Sequence, residues 1–351
     1  MENGIDNVHI SGFEPLPEPR EVRSELPQTQ ATAAVVRAGR QQVRDSIAGS
    51  DTRMLVVVGP CSIHDPDAAL EYATRLALLR DRVADRLLVL MRVYFEKPRT
   101  TLGWKGLIND PSLDGAHDIH RGLRRARRIL LRINELGLPC ATEFLDPVVP
   151  QFTADLVSWA AIGARTTESQ PHREMASGLS MPVGFKNATD GGLQVALDAM
   201  VSARHAHHFL GIGQEGRVCA VRTTGNPDVH LVLRGGNAGT NFERADLAYT
   251  QVKLEDIGVG GRRILVDCSH GNSNKDFRRQ PAVFRSVLSQ LTTGQRGILG
   301  AMLESNLAAG SQKLIPNTAL TYGQSITDAC IDWETTEELL LTAHEALERQ
   351  S

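Results

Sequence analysis

Short apolar and β-branched runs recur eight times along the chain, at Met54–Val58, Leu87–Val93, Leu138–Thr142, Ala161–Arg165, Pro182–Lys186, His230–Arg234, Arg263–Asp267 and Gly297–Leu303. Between most of them lie longer stretches with apolar residues at helical spacing, such as Ala68-Leu70-Tyr72-Leu76-Leu79 and Leu123-Ala126-Ile129-Leu130-Ile133. Strands that alternate with helices pair in parallel, because each helix carries the chain back to the edge where the last strand began. The expected class is α/β, and eight units in about 300 residues favour a closed (β/α)8 TIM barrel. A doubly wound open sheet would give a similar rhythm. A further pair of runs, His207–Ile212 and Arg217–Thr223, is separated only by Gly213-Gln214-Glu215-Gly216 and reads as an inserted β-hairpin, about residues 205–225. Residues 1–45 have weak periodicity and prolines at 15, 17 and 19, so they read as an N-terminal arm before the main barrel over 46–351.

The composition of the 351 residues, 41% of them hydrophobic, supports one large core of this kind. The formal charge of −3 gives no footprint for nucleic acid or an anionic membrane. The N-terminal MENGIDNVHISGFEPLPEPREV lacks an apolar h-region, and no window approaches a membrane span, so a cytoplasmic protein is expected. Cys61, Cys140, Cys219, Cys268 and Cys330 form an odd, scattered set, which argues for reduced thiols rather than a disulfide framework.

Barrel enzymes build their sites where strands end. The first run is followed by Cys61; the second carries Arg92 and leads into YFEKPRTT; the third ends at Thr142-Glu143-Phe144. The remaining ends deliver Gly163-Ala164-Arg165, Lys186-Asn187, Arg234-Gly235-Gly236, Asp267-Cys268-Ser269-His270 and Glu304-Ser305-Asn306. Arg92, Lys97, Arg99, Arg165, Lys186 and Arg234 together imply ligands dense in negative charge, since guanidinium forks match phosphate and carboxylate oxygens. Cys61, His270, Glu304 and Asp328 mix soft and hard donors, suited to a borderline divalent ion, although they lack the local spacing of a zinc ribbon.

Each feature also has a plainer reading. Cys61 alone could be a buried core thiol. His64 and Asp65 suit a helix cap better than a metal site. RGLRRARRILLR has apolar residues at helical spacing and reads as a solvated outer helix face rather than a nucleic-acid patch. His205, His207 and His208 precede the hairpin, away from the strand ends, and suit a surface or interface. Cys330 reads as structural, with a Cys61–Cys330 disulfide as an oxidised alternative in metal-free protein.

GPCSIHDP, RVYFEKPRTTLGWKGLINDP, ATEFLDP, WAAIGARTTESQPHREMASGLSMPVGFKNATDG, LRGG, DCSHGNSNKD and SITDACIDWE closely resemble the type I 3-deoxy-D-arabino-heptulosonate 7-phosphate (DAHP) synthases of the microbial shikimate pathway. The resemblance spans nearly the whole chain. It implies condensation of phosphoenolpyruvate with erythrose 4-phosphate and water, one divalent metal ion per subunit (Mn, Fe, Co, Cu or Zn), and a homodimer or homotetramer. Carried over by position, Cys61, His270, Glu304 and Asp328 are metal ligands. Arg92, Gly163, Ala164, Arg165, Lys186 and Arg234 correspond to the phosphoenolpyruvate site, and Lys97, Pro98, Arg99 and Thr100 to the erythrose 4-phosphate site. Lys97 is a candidate proton donor, and Glu143, Asp328 or a metal-linked water a candidate for handling the protons of the attacking water.

Family members are inhibited by different aromatic amino acids. The corresponding surface involves the arm, Asp146, Pro150, Gln151, Met175, Leu179, Ser180 and the hairpin residues Phe209, Gly211 and Val221. Phe209-Leu210-Gly211 looks more like the tyrosine-sensitive branch than the phenylalanine- or tryptophan-sensitive ones, and a glycine at 211 leaves room for a tyrosine hydroxyl. A related synthase using another phosphorylated aldose would be expected to lack KPRT, and a non-catalytic amino-acid sensor would lose ligands that are all present here.

Overall fold

The structure, a computed structural model, describes residues 5–99, 101–315 and 318–349. Its elements in chain order begin with α1 (Pro19–Glu25), α2 (Gln30–Ala48), β1 (Met54–Gly59), α3 (Pro66–Val83), β2 (Leu87–Arg92), α4 (Ile119–Glu135) and β3 (Cys140–Glu143). There follow α5 (Pro150–Thr153), β4 (Trp159–Ile162), α6 (Gln170–Gly178), β5 (Val183–Lys186), α7 (Gln194–Ala203), β6 (His208–Ile212) and β7 (Val218–Arg222). The chain closes with β8 (Val229–Leu233), α8 (Arg244–Asp256), β9 (Ile264–Asp267), α9 (Gln280–Thr292), β10 (Ile298–Glu304) and α10 (Trp333–Glu348).

Strands β1, β2, β3, β4, β5, β8, β9 and β10 pair in parallel, in that order, and close where Leu55 of β1 meets Gly300 of β10. The (β/α)8 barrel is therefore the fold. Each strand packs side chains into the lumen on one side and against helices on the other, which is why the runs are apolar throughout. Leu55 and Val57 join a lumen cluster with Leu88, Leu90, Trp159 and Leu265, whereas Val56 and Val58 pack with the helix-facing core. Within the lumen the Trp159 indole donates to His230 Nε2 at 2.7 Å.

Val43 and Ile47 of α2 belong to the same lumen cluster as Leu55 and Val57. That helix thus closes the N-terminal end of the barrel, and the segment boundary expected at residue 45 falls inside it. Thr29 caps it, accepting from the Thr32 N–H.

All eight expected runs overlap observed strands, the fourth by only two residues. It was expected over Ala161–Arg165 and forms at Trp159–Ile162 instead. The Gly163 carbonyl accepts from the N–H groups of Thr166 and Thr167, so the chain turns there and Gly163-Ala164-Arg165 belong to a loop. The hairpin β6–β7 is antiparallel and outside the barrel, with Phe209 opposite Val221. Among the described residues no helix is long and apolar enough to cross a membrane.

Candidate active site

The site lies at the C-terminal mouth of the barrel. Gly59 ends β1 with φ +154°, and a Cβ there would come within 2.7 Å of the Arg92 carbonyl, so the turn into Pro60-Cys61 needs glycine. Cys61 follows, fully buried. Its sulfur accepts from Lys97 Nζ at 3.0 Å and lies 3.5 Å from Asp328 Oδ2. The Lys97 ammonium is itself 3.8 Å from that oxygen. Asp328 reaches the first strand's loop because Ser62 Oγ and Thr327 Oγ1 sit 2.7 Å apart, while the Ile331 N–H bonds the Glu304 carbonyl.

Glu304, the last residue of β10, is buried and doubly bonded: Arg92 Nη2 donates to Oε1 at 2.9 Å and Ser269 Oγ to Oε2 at 2.7 Å. Gln280 brackets its main chain, accepting from the Glu304 N–H at 2.9 Å and donating to its carbonyl at 3.0 Å. The ligand atoms of Cys61, Glu304 and Asp328 all lie within 4.8 Å of one another. His270 stands outside that set, with its Nδ1 2.9 Å from Asp267 Oδ2. Burial, then Glu304 and Asp328, push the Cys61 thiol up to about 12 against the pull of Lys97. A thiol and two carboxylates crowded this closely need cationic charge to ionise together, and a soft-plus-hard donor set of this kind fits a borderline divalent ion.

The cations divide into a buried group and a rim. Arg92 also donates to the Pro60 carbonyl at 3.1 Å and stacks over Tyr94, 3.6 Å from the ring centroid. Lys186 Nζ lies 3.3 Å from Asp267 Oδ2 and 3.6 Å from Glu143 Oε2. Arg234 is fixed by its N–H, which donates to Asn187 Oδ1 at 2.7 Å; burial lowers its pKa, partly countered by Asp267. Arg165 and Arg99 are exposed, and Arg165 Nη1 donates to the Pro98 carbonyl at 3.4 Å. Gly163 abuts Glu143: a Cβ there would sit 2.5 Å from Oε1. The expectation for Thr100 lies outside the described residues.

Of the expected inhibitor surface, Phe209, Gly211 and Val221 come together on the hairpin. Gln151 Oε1 accepts from Gln214 at 2.7 Å, and the Gln214 carbonyl accepts from the Arg20 N–H at 2.9 Å, which ties α5, hairpin and α1 together. Pro150 and Met175 are buried, Leu179 is half-buried, and Asp146 and Ser180 are exposed. Val221 crowds the Cβ position of Gly211: a Cβ there would lie 2.8 Å from Val221 Cγ2. A cavity of about 430 Å³ lined by Asp190, Tyr249 and Thr250 shares none of these residues.

Several plainer readings hold. Asp65 caps α3, accepting from the Asp67 and Ala68 N–H groups, while His64 makes no part of that cap and is buried. His205 and His207 bond the carbonyls of Val201 and Ser202 at the end of α7. The arginine run is corrected at one position: Arg127 is buried, bonding Asp155 and the carbonyls of Leu26 and Phe152. All five cysteines are free. Tyr94, Glu96, Asp267 and Gln280 acquired no role from the sequence. Asp267 stood in the DCSH stretch at a strand end, which is a usable signal; Gln280 had none, because its partner is a main chain 24 positions away.

The chain matches the DAHP synthetase I family over residues 28–341. It is 53% identical over 351 residues to the tyrosine-sensitive phospho-2-dehydro-3-deoxyheptonate aldolase of Escherichia coli (strain K12), covering 100% of this chain and 98% of that one. To the phenylalanine-sensitive enzyme of the same organism it is 50% identical over 335 residues, 95% of each chain. The solved structure of phospho-2-dehydro-3-deoxyheptonate aldolase from Francisella tularensis SCHU S4 superposes with a TM-score of 0.95 at 46% identity, covering 97% of this chain and 99% of that one.

Proposed function

We infer the chemistry of the barrel mouth from one premise: the chain belongs to the DAHP synthetase I family. It acts as a DAHP synthase, condensing phosphoenolpyruvate with erythrose 4-phosphate and water to give DAHP and phosphate, the first step of aromatic amino acid biosynthesis. The observation that carries the site assignment is the meeting of Cys61, Glu304 and Asp328 beside the Lys97 ammonium.

In this reading Cys61, His270, Glu304 and Asp328 hold a divalent ion. When bound, the ion supplies Lewis-acid polarisation of the aldehyde oxygen, worth several kcal/mol of developing charge. Arg92, Arg165, Lys186 and Arg234 bind phosphoenolpyruvate, with the Gly163-Ala164 backbone beside them, and Lys97-Pro98-Arg99-Thr100 binds erythrose 4-phosphate. Two phosphorylated substrates repel, so the gain from these cations is chiefly positional. The Lys97 ammonium donates to the alkoxide forming as the phosphoenolpyruvate methylene carbon attacks the aldehyde. Positive character develops at C2, water adds there, and Glu143, 3.6 Å from Lys186, is the group we assign to take its proton. Phosphate then leaves with C–O cleavage.

Tyrosine is the inhibitor this reading favours, supported by the tyrosine-sensitive relatives at 53% and 52% identity. The binding surface would be formed by Asp146, Pro150, Gln151, Met175, Leu179, Ser180, Phe209, Gly211 and Val221. A cytoplasmic location and a dimeric or tetrameric assembly are supported by the family resemblance. A steady-state assay of phosphate release with both substrates tests the reading. Activity should vanish with chelator and return with added Mn²⁺; turnover unchanged by chelator would overturn the metal-dependent account.

A further inference from the structure

Asp267 closes β9 with a side chain that is 0% exposed. Its Oδ1 accepts from the Ser269 N–H at 3.0 Å, and its main-chain carbonyl accepts from Asn272 at 3.0 Å, so the carboxylate has little freedom to move. Its Oδ2 is buried without an aligned hydrogen bond, as is His270 Nδ1. Those two atoms are nevertheless 2.9 Å apart, and Lys186 Nζ is 3.3 Å from the same oxygen. The imidazole is held there by its own loop: His270 has φ +51°, and its carbonyl accepts from the Lys275 N–H at 2.7 Å.

A buried carboxylate with an unfilled acceptor is costly unless charge compensates it. Here one oxygen serves two groups with different tasks. Toward His270 it is a carboxylate oxygen only 2.9 Å from Nδ1, placed to favour the imidazole proton on that nitrogen and so leave the Nε2 lone pair for another partner. Toward Lys186 it is a counter-charge, which weakens the field that ammonium presents to an anionic ligand.

We propose that Asp267 is a positioning residue shared by both halves of the site, orienting His270 for metal binding through Nε2 while offsetting the attraction of Lys186 for phosphoenolpyruvate. This rests on the assignment of His270 as a ligand and Lys186 as a phosphoenolpyruvate clamp. Replacing the anion by a neutral isostere therefore has opposite effects on a cation and an anion, a pattern that simple loosening of the fold does not produce.

Calorimetric titration of the full-length Asp267→Asn protein tests it. Mn²⁺ should bind at least tenfold more weakly than to the wild type, in the usual range for lost carboxylate support of a histidine ligand. Phosphoenolpyruvate, titrated at saturating Mn²⁺, should bind about threefold more tightly once the nearby negative charge is gone. Unchanged Mn²⁺ affinity, or weaker binding of both, would overturn the proposal. Cys61→Ala, run alongside, separates the two levels of inference. If it abolishes Mn²⁺ binding while Asp267→Asn does not, the metal site stands and the role of Asp267 falls; if it leaves Mn²⁺ binding intact, both fall. Should Asp267→Asn not fold, the wild-type enzyme still decides. In ¹⁵N spectra of histidine-labelled, Zn²⁺-loaded protein, with His270 assigned by His270→Gln, the proton should be on Nδ1 and the metal-shifted nitrogen should be Nε2. The reverse assignment overturns the proposal.

Discussion

The ammonium of Lys97 lies 3.0 Å from the sulfur of Cys61, 36 positions away in the chain. It lies 3.8 Å from Asp328 Oδ2 as well. A cation held against two of the assigned ligands is the group proposed to donate to the alkoxide that forms on the aldehyde. Lys97→Met removes the donor while keeping an unbranched apolar stem. It should lower kcat at least about a thousandfold, the span of general acid catalysis plus lost positioning. Metal content should be unchanged. Turnover within tenfold of wild type would remove Lys97 from the chemistry.

Gly163 and Glu143 meet where the neighbouring strands β3 and β4 end. A methyl group at 163 would sit 2.5 Å from Glu143 Oε1, closer than packing permits, so the carboxylate must move. Gly163→Ala should therefore cut kcat about tenfold or more, the usual penalty for misplacing a group near the reacting atoms. Its melting temperature should stay within a few degrees of wild type, which a thermal melt alongside the kinetics would check.

Glu96 gives the enzyme a pH-dependent stability. Burial raises its pKa to about 8 from 4.5, outweighing the N–H groups of Asp146 and Leu145 that bond its carboxylate. An acid whose pKa is raised on folding is stabilising while protonated. Its contribution is complete below pH 4.5 and is lost as pH rises towards 8. Where Glu96 is protonated in the native state and ionised in the unfolded chain, the slope is about 1.4 kcal/mol per pH unit. Denaturant midpoints for wild type and Glu96→Gln should diverge through that window, with the variant losing less. Parallel curves would show that Glu96 is ionised throughout.

Arg127 ties the N-terminal segment to the barrel. Its guanidinium pairs with Asp155 at 2.7 Å and donates to the carbonyls of Leu26 and Phe152. Arg127→Ala strands these acceptors and should cost about 3 kcal/mol of stability, read from chemical denaturation. A surface arginine on the same helix, such as Arg128, should cost under about 0.5 kcal/mol.

Inhibition should follow the relatives named as tyrosine-sensitive. Tyrosine should inhibit the enzyme and phenylalanine should not. Gly211→Leu, whose Cβ would sit 2.8 Å from Val221 Cγ2 and force that side chain to shift, should abolish that inhibition with kcat held within twofold. Inhibition by phenylalanine alone would contradict the assignment.

The barrel was legible because its strands are apolar on both faces and its helices repeat the same spacing, a signal that accumulates over eight units. Where the signal failed, a single turn decided. Gly163-Ala164-Arg165 reads in sequence as the end of a strand, but the Gly163 carbonyl accepts two loop N–H groups and the chain turns there. The site was legible by residue type at the strand ends and by resemblance. What supports it was not: Gln280 clasping the Glu304 main chain depends on a tertiary approach that no spacing encodes. Arg127 shows the converse, since helical periodicity marks a face but not the one arginine that finds buried partners.

In the proposed reading the metal ion is held by Cys61, His270, Glu304 and Asp328, drawn from distant strand ends and loops, and not by the adjacent Cys-His-Asp of GPCSIHDP. Metal content per subunit, measured for wild type, Cys61→Ala, Glu304→Gln and His64→Ala after exposure to Mn²⁺, tests it most directly. The account predicts one ion in wild type and in His64→Ala, and little or none in Cys61→Ala and Glu304→Gln. An ion retained by Glu304→Gln and lost by His64→Ala would contradict it.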